Sequence, residues 1–224
     1  MIGLGNMLSF IPNYNTETQN ANGDPVQWEH ECSAEVSCLA EVESVSGPEH
    51  SFLAVGCLAK RVRWFQMGSP RELRKVHGFK AHQSRVACML VHEQRLYTAG
   101  GSNDASIKVW SSPDDCPQDA NEKMEPGLLF SLEGHTDTVV SMKRLGSYLI
   151  SGSSKEDGTM RVWDVEAQKC LQARITCHTA VQGILPIGDD VMITAGNSGD
   201  HKICVWSTNP LPQVSIQTSK CSIQ

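Results

Sequence analysis

Along most of the chain, apolar and polar positions alternate in short runs cut by turn residues. From residue 85 the series is "RVACMLVH", "RLYTAGG", "ASIKVW" and "GLLFSLE". Runs of four to eight β-branched and apolar residues, bounded by Gly, Asn, Asp and Ser, predict strands joined by tight turns. The series returns as "TVVSMKRL", "SYLISGS", "TMRVWDV" and "CLQARIT", and again as "VQGILPI", "DVMITAG", "HKICVW" and "QVSIQTS". A weaker copy, "SCLAEVE" and "SFLAVGCLAKRVRWFQM", precedes them. Before that, "MLSFIPN" and "VQWEHEC" read as the third and fourth strands of a still earlier unit. No segment has the 3.6-residue apolar period of a helix.

Fixed residues recur on this strand pattern. Three runs end in Trp110, Trp163 and Trp206. Counting back 28 residues from each gives His82, His135 and His178; counting back 12 gives Thr98, Ser151 and Thr194; counting back six gives Asp104, Asp157 and Asp200. Four strands per unit, in units of about 40 to 50 residues, predict an all-β chain of antiparallel propeller blades. The units run 33–80 (degenerate), 81–133, 134–176 and 177–219, after a partial unit at 1–32 and before a tail at 220–224. In the degenerate unit we align Trp64 with the other tryptophans; 28 residues before it stands Val36 and six before it Leu58, so its polar set is missing.

The pair "GH…WD", Gly134-His135 and Trp163-Asp164, resembles the WD-repeat β-propeller family, with degenerate forms "AH…VWS" and "CH…VWS" in the flanking units. The resemblance covers about residues 32–218. It implies that His82–Thr98–Asp104–Trp110, His135–Ser151–Asp157–Trp163 and His178–Thr194–Asp200–Trp206 are hydrogen-bonded tetrads that brace each blade internally. A serine, a histidine and an aspartate also suggest acyl transfer. The trio recurs three times, however, with threonine replacing serine twice, which a brace tolerates and a nucleophile does not. We therefore expect no catalytic residues and no enzyme. The sialidase "Asp box", SxDxGxxW, is also absent, because "EDGTMRVW" has Asp and Gly adjacent.

Composition narrows the reading further. A net charge of −6 disfavours direct nucleic-acid binding, and the modest cluster "KRVRW…RELRK" fits a solvated strand pair. An odd count of nine cysteines, several inside apolar runs and none in a CxxC pair, suggests reduced, buried thiols in a cytoplasmic or nuclear protein. Cys170, Cys177 and His178 lack a second close pair, so no metal and no cofactor is expected. No run of about 18 apolar residues is present, and the N-terminus lacks the basic region of a signal peptide.

Relative to the usual WD repeat, the turns "TAGGSNDAS", "SGSSKEDGT" and "TAGNSGDHK" each carry two extra residues. The family resemblance places them beside the histidine loops, on a face that binds proteins. Gln83, Ser84, Arg85, Asn103, Thr136, Asp137, Lys155, Glu156, Thr179 and Asn197 are the candidate contacts. The acidic, Pro-containing stretch 111–127 and the polar stretch 13–25 read as insertions. We expect a non-catalytic scaffold for protein or peptide partners, acting neither on a membrane nor directly on nucleic acid. The alternative is the substrate-recognition part of a ubiquitin ligase whose catalytic module lies elsewhere; the docking signal "WDxR" is replaced by "WDVE" at Trp163–Glu166. Four and a half blades leave raw sheet edges. An upstream segment of a longer product is the favoured completion of the ring, and a second chain is another.

Overall fold

The computed structural model describes residues 2–4, 7–10, 28–31, 34–42, 51–67, 73–112, 126–188, 191–197 and 200–207. All the regular structure among them is β. A three-stranded sheet contains β1 (Ile2–Leu4), β2 (Met7–Phe10) and β3 (Trp28–Glu31). The strand β1 was not foreseen. Three four-stranded sheets follow. They are β4 (Val36–Val42), β5 (Phe52–Cys57), β6 (Arg61–Met67) and β7 (Leu73–Lys80); β8 (Val86–His92), β9 (Arg95–Gly100), β10 (Ile107–Trp110) and β11 (Leu128–Leu132); and β12 (Val139–Leu145), β13 (Tyr148–Ser153), β14 (Thr159–Asp164) and β15 (Lys169–Ile175). The last sheet holds β16 (Gly183–Ile187), β17 (Val191–Ala195) and β18 (Ile203–Ser207). The strand pairings among the described residues are antiparallel and join neighbours in sequence, as tight turns require. The expected strand "QVSIQTS", most of the acidic insertion, the polar stretch 13–25 and the tail 220–224 lie outside the described residues.

The first strands of successive sheets lie side by side: β4 by β8, β8 by β12, and β12 by β16. A register irregularity near the start of β4, β8 and β12 accompanies this contact. It falls between Val36 and Cys38, Val86 and Cys88, and Val139 and Ser141. A bulge takes backbone groups out of their own ladder, and a buried carbonyl then needs another donor. The preceding sheet supplies it. Ser37 Oγ donates to the Val86 carbonyl at 2.5 Å, Cys88 Sγ to that of Val139 at 3.3 Å, and Ser141 Oγ to that of Val181 at 2.5 Å.

The core lies between sheets. Tyr97, Ala99, Ile107 and Val109 pack with Leu149 and Trp163 of the next sheet; Ile150 and Met160 pack with Ile184, Met192 and Trp206 of the one after. The sheets of Trp110, Trp163 and Trp206 thus each lay their tryptophan-bearing face on the opposite face of the sheet before. Period-two alternation creates those two apolar faces, and burying them is the main favourable term.

The degenerate sheet requires a correction. Trp110, Trp163 and Trp206 pair across the ladder with Leu96, Leu149 and Met192. In the first four-stranded sheet the residue so placed is Phe65, which pairs with Leu53; Trp64 pairs with Ala54. The irregularity between the third and fourth strands falls at Val109/Trp110, at Val162/Trp163 and at Trp64/Phe65, which gives the same alignment. One residue of slip moves a side chain to the other face of a sheet. Trp64 therefore points forward, into a cluster with Leu96 and Trp110. Phe65 takes the indole position, and Val55, paired with Arg63, takes the place of the tetrad hydroxyl. Both are buried among Leu53, Cys57, Val36 and Leu39, so here an apolar plug replaces the polar brace.

Candidate functional site: the histidine-loop face

Each histidine sits in the loop entering a first strand, and each aspartate in the turn between the second and third strands. Four side chains join the two. In the first set, His82 Nδ1 lies 3.0 Å from Asp104, His82 Nε2 lies 2.8 Å from Thr98 Oγ1, and Trp110 Nε1 donates to that hydroxyl at 2.9 Å. For His135, Asp157, Ser151 and Trp163 the distances are 2.7, 2.7 and 2.8 Å. For His178, Asp200, Thr194 and Trp206 they are 3.0, 2.9 and 2.8 Å. Proton positions follow from what each end can do. The indole only donates and the carboxylate only accepts. The hydroxyl must therefore give its hydrogen to Nε2, and Nδ1–H must point to the carboxylate, which fixes a neutral imidazole in one tautomer.

The electrostatics agree with that assignment. Burial holds the His82 and His135 imidazoles below their usual pKa, and the partner carboxylate offsets it only in part. For Asp157, burial pushes the carboxyl up, but hydrogen bonds from His135, Thr159 and the Thr136 backbone N–H outweigh it, leaving the group well below the ordinary carboxylate range. Asp104 is depressed in the same way by Ser106, the Gln83 N–H and His82. The Ser151 hydroxyl is wholly buried with both partners engaged, so no substrate can reach it.

A backbone hydrogen bond between residues three apart closes each of these aspartate turns. Asp104 N–H donates to Gly101 O at 2.8 Å, Asp157 N–H to Ser154 O at 3.2 Å, and Asp200 N–H to Asn197 O at 3.2 Å. This returns each aspartate beneath its histidine and leaves Asn103, Lys155 and Glu156 exposed at the tips. The carboxylates also accept from the backbone N–H groups of Gln83 (2.7 Å), Thr136 (2.8 Å) and Thr179 (3.2 Å). The exposed Gln83, Arg85, Thr136 and Thr179 therefore stand on loops fixed from below, with Ser84 and Asn197 half-buried beside them.

Asp137 differs from its expected role as a surface contact. It is buried, and its carboxylate accepts from Thr138 N–H at 2.6 Å, Glu156 N–H at 3.3 Å and the Ser154 hydroxyl. It pins the extended turn from below. The signal was its place two residues after His135, facing a turn that carries a serine at 154.

The structure also brings together residues that sequence reasoning passed over. Glu35, Val36 and Ser37, Arg85 and Ala87, Val140, and Gln182 come from the starts of the four first strands and the loops leading into them. With Leu58 they line a cavity of about 310 Å³. Of the ten candidate contacts, only Arg85 reaches it. The other residues of the cavity lie far apart in sequence and belong to no motif.

Among the described residues, one group of potential metal ligands is close-packed: Cys177, His178 and Cys204, with ligand atoms within 4.8 Å of one another. Both nitrogens of His178 are engaged in its tetrad, and the two sulfurs are bonded to each other. The expectation of nine reduced thiols thus fails at this pair; Cys38, Cys57, Cys88 and Cys170 are free.

The realignment of Trp64 carries its own test. Its Nε1 is buried without a partner among the described residues, and Phe52 packs edge-on against the ring at 6.3 Å. An orphaned buried donor costs about 1–3 kcal/mol, which offsets the contact area lost on truncation. Trp64→Phe is expected to change the unfolding free energy by no more than about 1 kcal/mol in a urea titration. Trp163→Phe, which removes a donor the brace uses, should cost clearly more.

Residues 73–111 and 127–164 match the family described as WD domain, G-beta repeat. Mitochondrial division protein 1 of Kluyveromyces lactis is 25% identical over 153 residues, covering 66% of this chain and 21% of that protein. WD repeat-containing protein pop2 of Schizosaccharomyces pombe is 27% identical over 142 residues, covering 53% and 20%. The chain therefore spans about a fifth of the length of these curated relatives. Among solved structures, a chain of the mitotic checkpoint complex superposes with a TM-score of 0.69 at 20% identity, over 95% of this chain and 59% of that one. The RRP9 WD40 repeats superpose at 0.58 and 21%, over 80% and 47%. At these identities the structural likeness establishes the fold.

Proposed function

On the premise that this chain is built from WD repeats of the β-propeller family, we propose that it is a non-catalytic scaffold that grips protein or peptide partners at its histidine-loop face. Propellers of this family typically serve as protein-interaction scaffolds. The observation that carries the reading here is the cavity where four first strands begin, with Glu35, Ser37, Arg85 and Gln182 around it. The rigid loops that hold Asn103, Thr136, Lys155 and Thr179 exposed stand on the same face. A braced scaffold beneath projecting side chains lowers the ordering cost of binding. The exposed Arg85 supplies a cation for an acidic or carbonyl-rich segment of a partner. We place the protein in the cytoplasm or nucleus, in keeping with the free thiols of Cys38, Cys57, Cys88 and Cys170.

The reading extends to a second surface. Leu185 and Ile187 on β16, and Ile203 and Val205 on β18, expose 57%, 48%, 71% and 69% of their area. In the two preceding sheets the corresponding face is covered by the next sheet. We assign this face to a further blade that continues the ring.

Arg85→Glu is the test of the binding face. Partners captured by the wild-type chain should be depleted about tenfold or more by the variant, with the melting temperature unchanged, because Arg85 is exposed and outside the core. Equal capture at equal stability would reject this face.

A further inference from the structure

The residue opposite each tetrad hydroxyl on the third strand reaches the histidine loop. In the sheet of β8–β11 it is Lys108, paired with Thr98 across the ladder. Its ammonium donates to the carbonyl of Ala81, the residue just before His82, at 3.1 Å, and to Asp104 at 3.3 Å. In the sheet of β12–β15 it is Arg161, paired with Ser151. Its guanidinium lies so close to Gly134, the residue just before His135, that a Cβ there would sit 2.5 Å from a guanidinium nitrogen. In the last sheet the two places are Cys204, paired with Thr194, and Cys177, just before His178. Here the cationic tie is gone, and the two sulfurs are bonded to each other.

We propose that Cys177 and Cys204 form a reversible thiol-oxidation site that takes low-molecular-weight disulfides as oxidant and latches the His178 loop to strand β18. The chemistry balances with glutathione disulfide. The half-buried Cys177, as thiolate, attacks one sulfur of the disulfide and releases one glutathione thiol, leaving a mixed disulfide on Cys177. Cys204 gives up its proton to solvent and attacks the Cys177 sulfur, releasing the second glutathione. The protein pair loses two electrons and two protons; the glutathione disulfide gains them. Neighbouring sulfurs make the second step intramolecular, so the mixed disulfide resolves rather than accumulating.

Selectivity over Cys38, Cys57 and Cys88 has a physical basis. Cys38 and Cys88 donate to backbone carbonyls between the first strands, and Cys57 is buried among apolar side chains. Burial pushes the Cys38 thiol up to about 12 and those of Cys57 and Cys88 above their usual value, so they stay protonated and unreactive at neutral pH. Position gives the latch its consequence. The strand β18 holds the exposed Ile203 and Val205, and its sheet has three strands among the described residues where its predecessors have four. A cross-link closing a separation of 27 residues restricts the unfolded chain and holds that strand in its blade. This site stands independently of what the histidine-loop face binds.

The test uses the full chain equilibrated in glutathione buffers from fully reducing to fully oxidising, then digested without reduction. A Cys177–Cys204 linked peptide, lighter by two hydrogens, should appear as the oxidant fraction rises and vanish on return to reducing buffer. The linked chain should melt higher by roughly 4–15 °C than the reduced chain. Cys204→Lys restores the residue type found at Lys108, and its melting temperature should be the same in both buffers. Three results would overturn the proposal: Cys177 carrying one glutathione while Cys204 stays free, a linked chain melting at the temperature of the reduced one, or retention of about one equivalent of zinc by the reduced pair.

Discussion

Replacing Trp163 with alanine is expected to remove about 3–5 kcal/mol of unfolding free energy, which lowers the melting temperature by roughly 6–20 °C in a chain of this size. The side chain is 1% exposed, packs with Tyr97, Ile107 and Leu149 in the seam between two sheets, and donates its indole N–H to Ser151 at 2.8 Å. Alanine would leave both a cavity and a hydroxyl short of one partner. That cost approaches the whole stability of an ordinary domain. Differential scanning calorimetry against wild type measures it, and a loss below about 1 kcal/mol would mean the tryptophan does not hold the seam.

The second large effect is at Asp157, where the exchange of one oxygen for a nitrogen is informative. Its Oδ2 accepts from His135 at 2.7 Å and from Thr136 N–H at 2.8 Å; its Oδ1 accepts from Thr159 N–H at 3.1 Å and from the Thr159 hydroxyl. Every partner is a donor, so an asparagine amide NH₂ would face donors on whichever side it lay. Asp157→Asn is therefore expected to cost about 2–4 kcal/mol, nearly as much as Asp157→Ala, since each orphaned buried donor costs about 1–3 kcal/mol.

The pH dependence follows from the same network. Burial holds the His135 imidazole below its usual pKa, so the unfolded chain takes up a proton first. Stability from the neutral ring is complete above about pH 6.5 and falls as the pH drops below it. The Asp157 carboxyl is depressed in the folded chain, so its contribution is present above about pH 3.9 and is lost as the pH falls further. Urea midpoints measured from pH 8 to pH 3 should be flat at first and then decline. The gap between wild type and Asp157→Asn should narrow at the acid end, where the unfolded wild-type chain takes up a proton that the folded carboxylate resists. A gap constant down to pH 3 would show that the carboxylate is not what the folded chain uses.

The tetrads were legible because they are periodic. His, hydroxyl, Asp and Trp recur at fixed intervals, so counting along the chain found groups that hydrogen-bond directly in space. The same counting misassigned Trp64. One residue of register separates it from Phe65, and composition favours the tryptophan; the ladder pairing with Ala54 decides otherwise. Asp137 reads as a loop acid until its carboxylate is seen capping Thr138 and Glu156.

The sequence by itself determined the strand pattern, the repeat and the residues of the braces, because alternation and turn chemistry are local and the repeat writes each blade several times. Tertiary structure alone decided which face each side chain takes in the degenerate sheet, which strand ends meet around the Arg85 cavity, and that Cys177 and Cys204 lie in contact. Those outcomes depend on ladder register and on the packing of one sheet against the next. Residues brought together that way come from distant parts of the chain and share no motif.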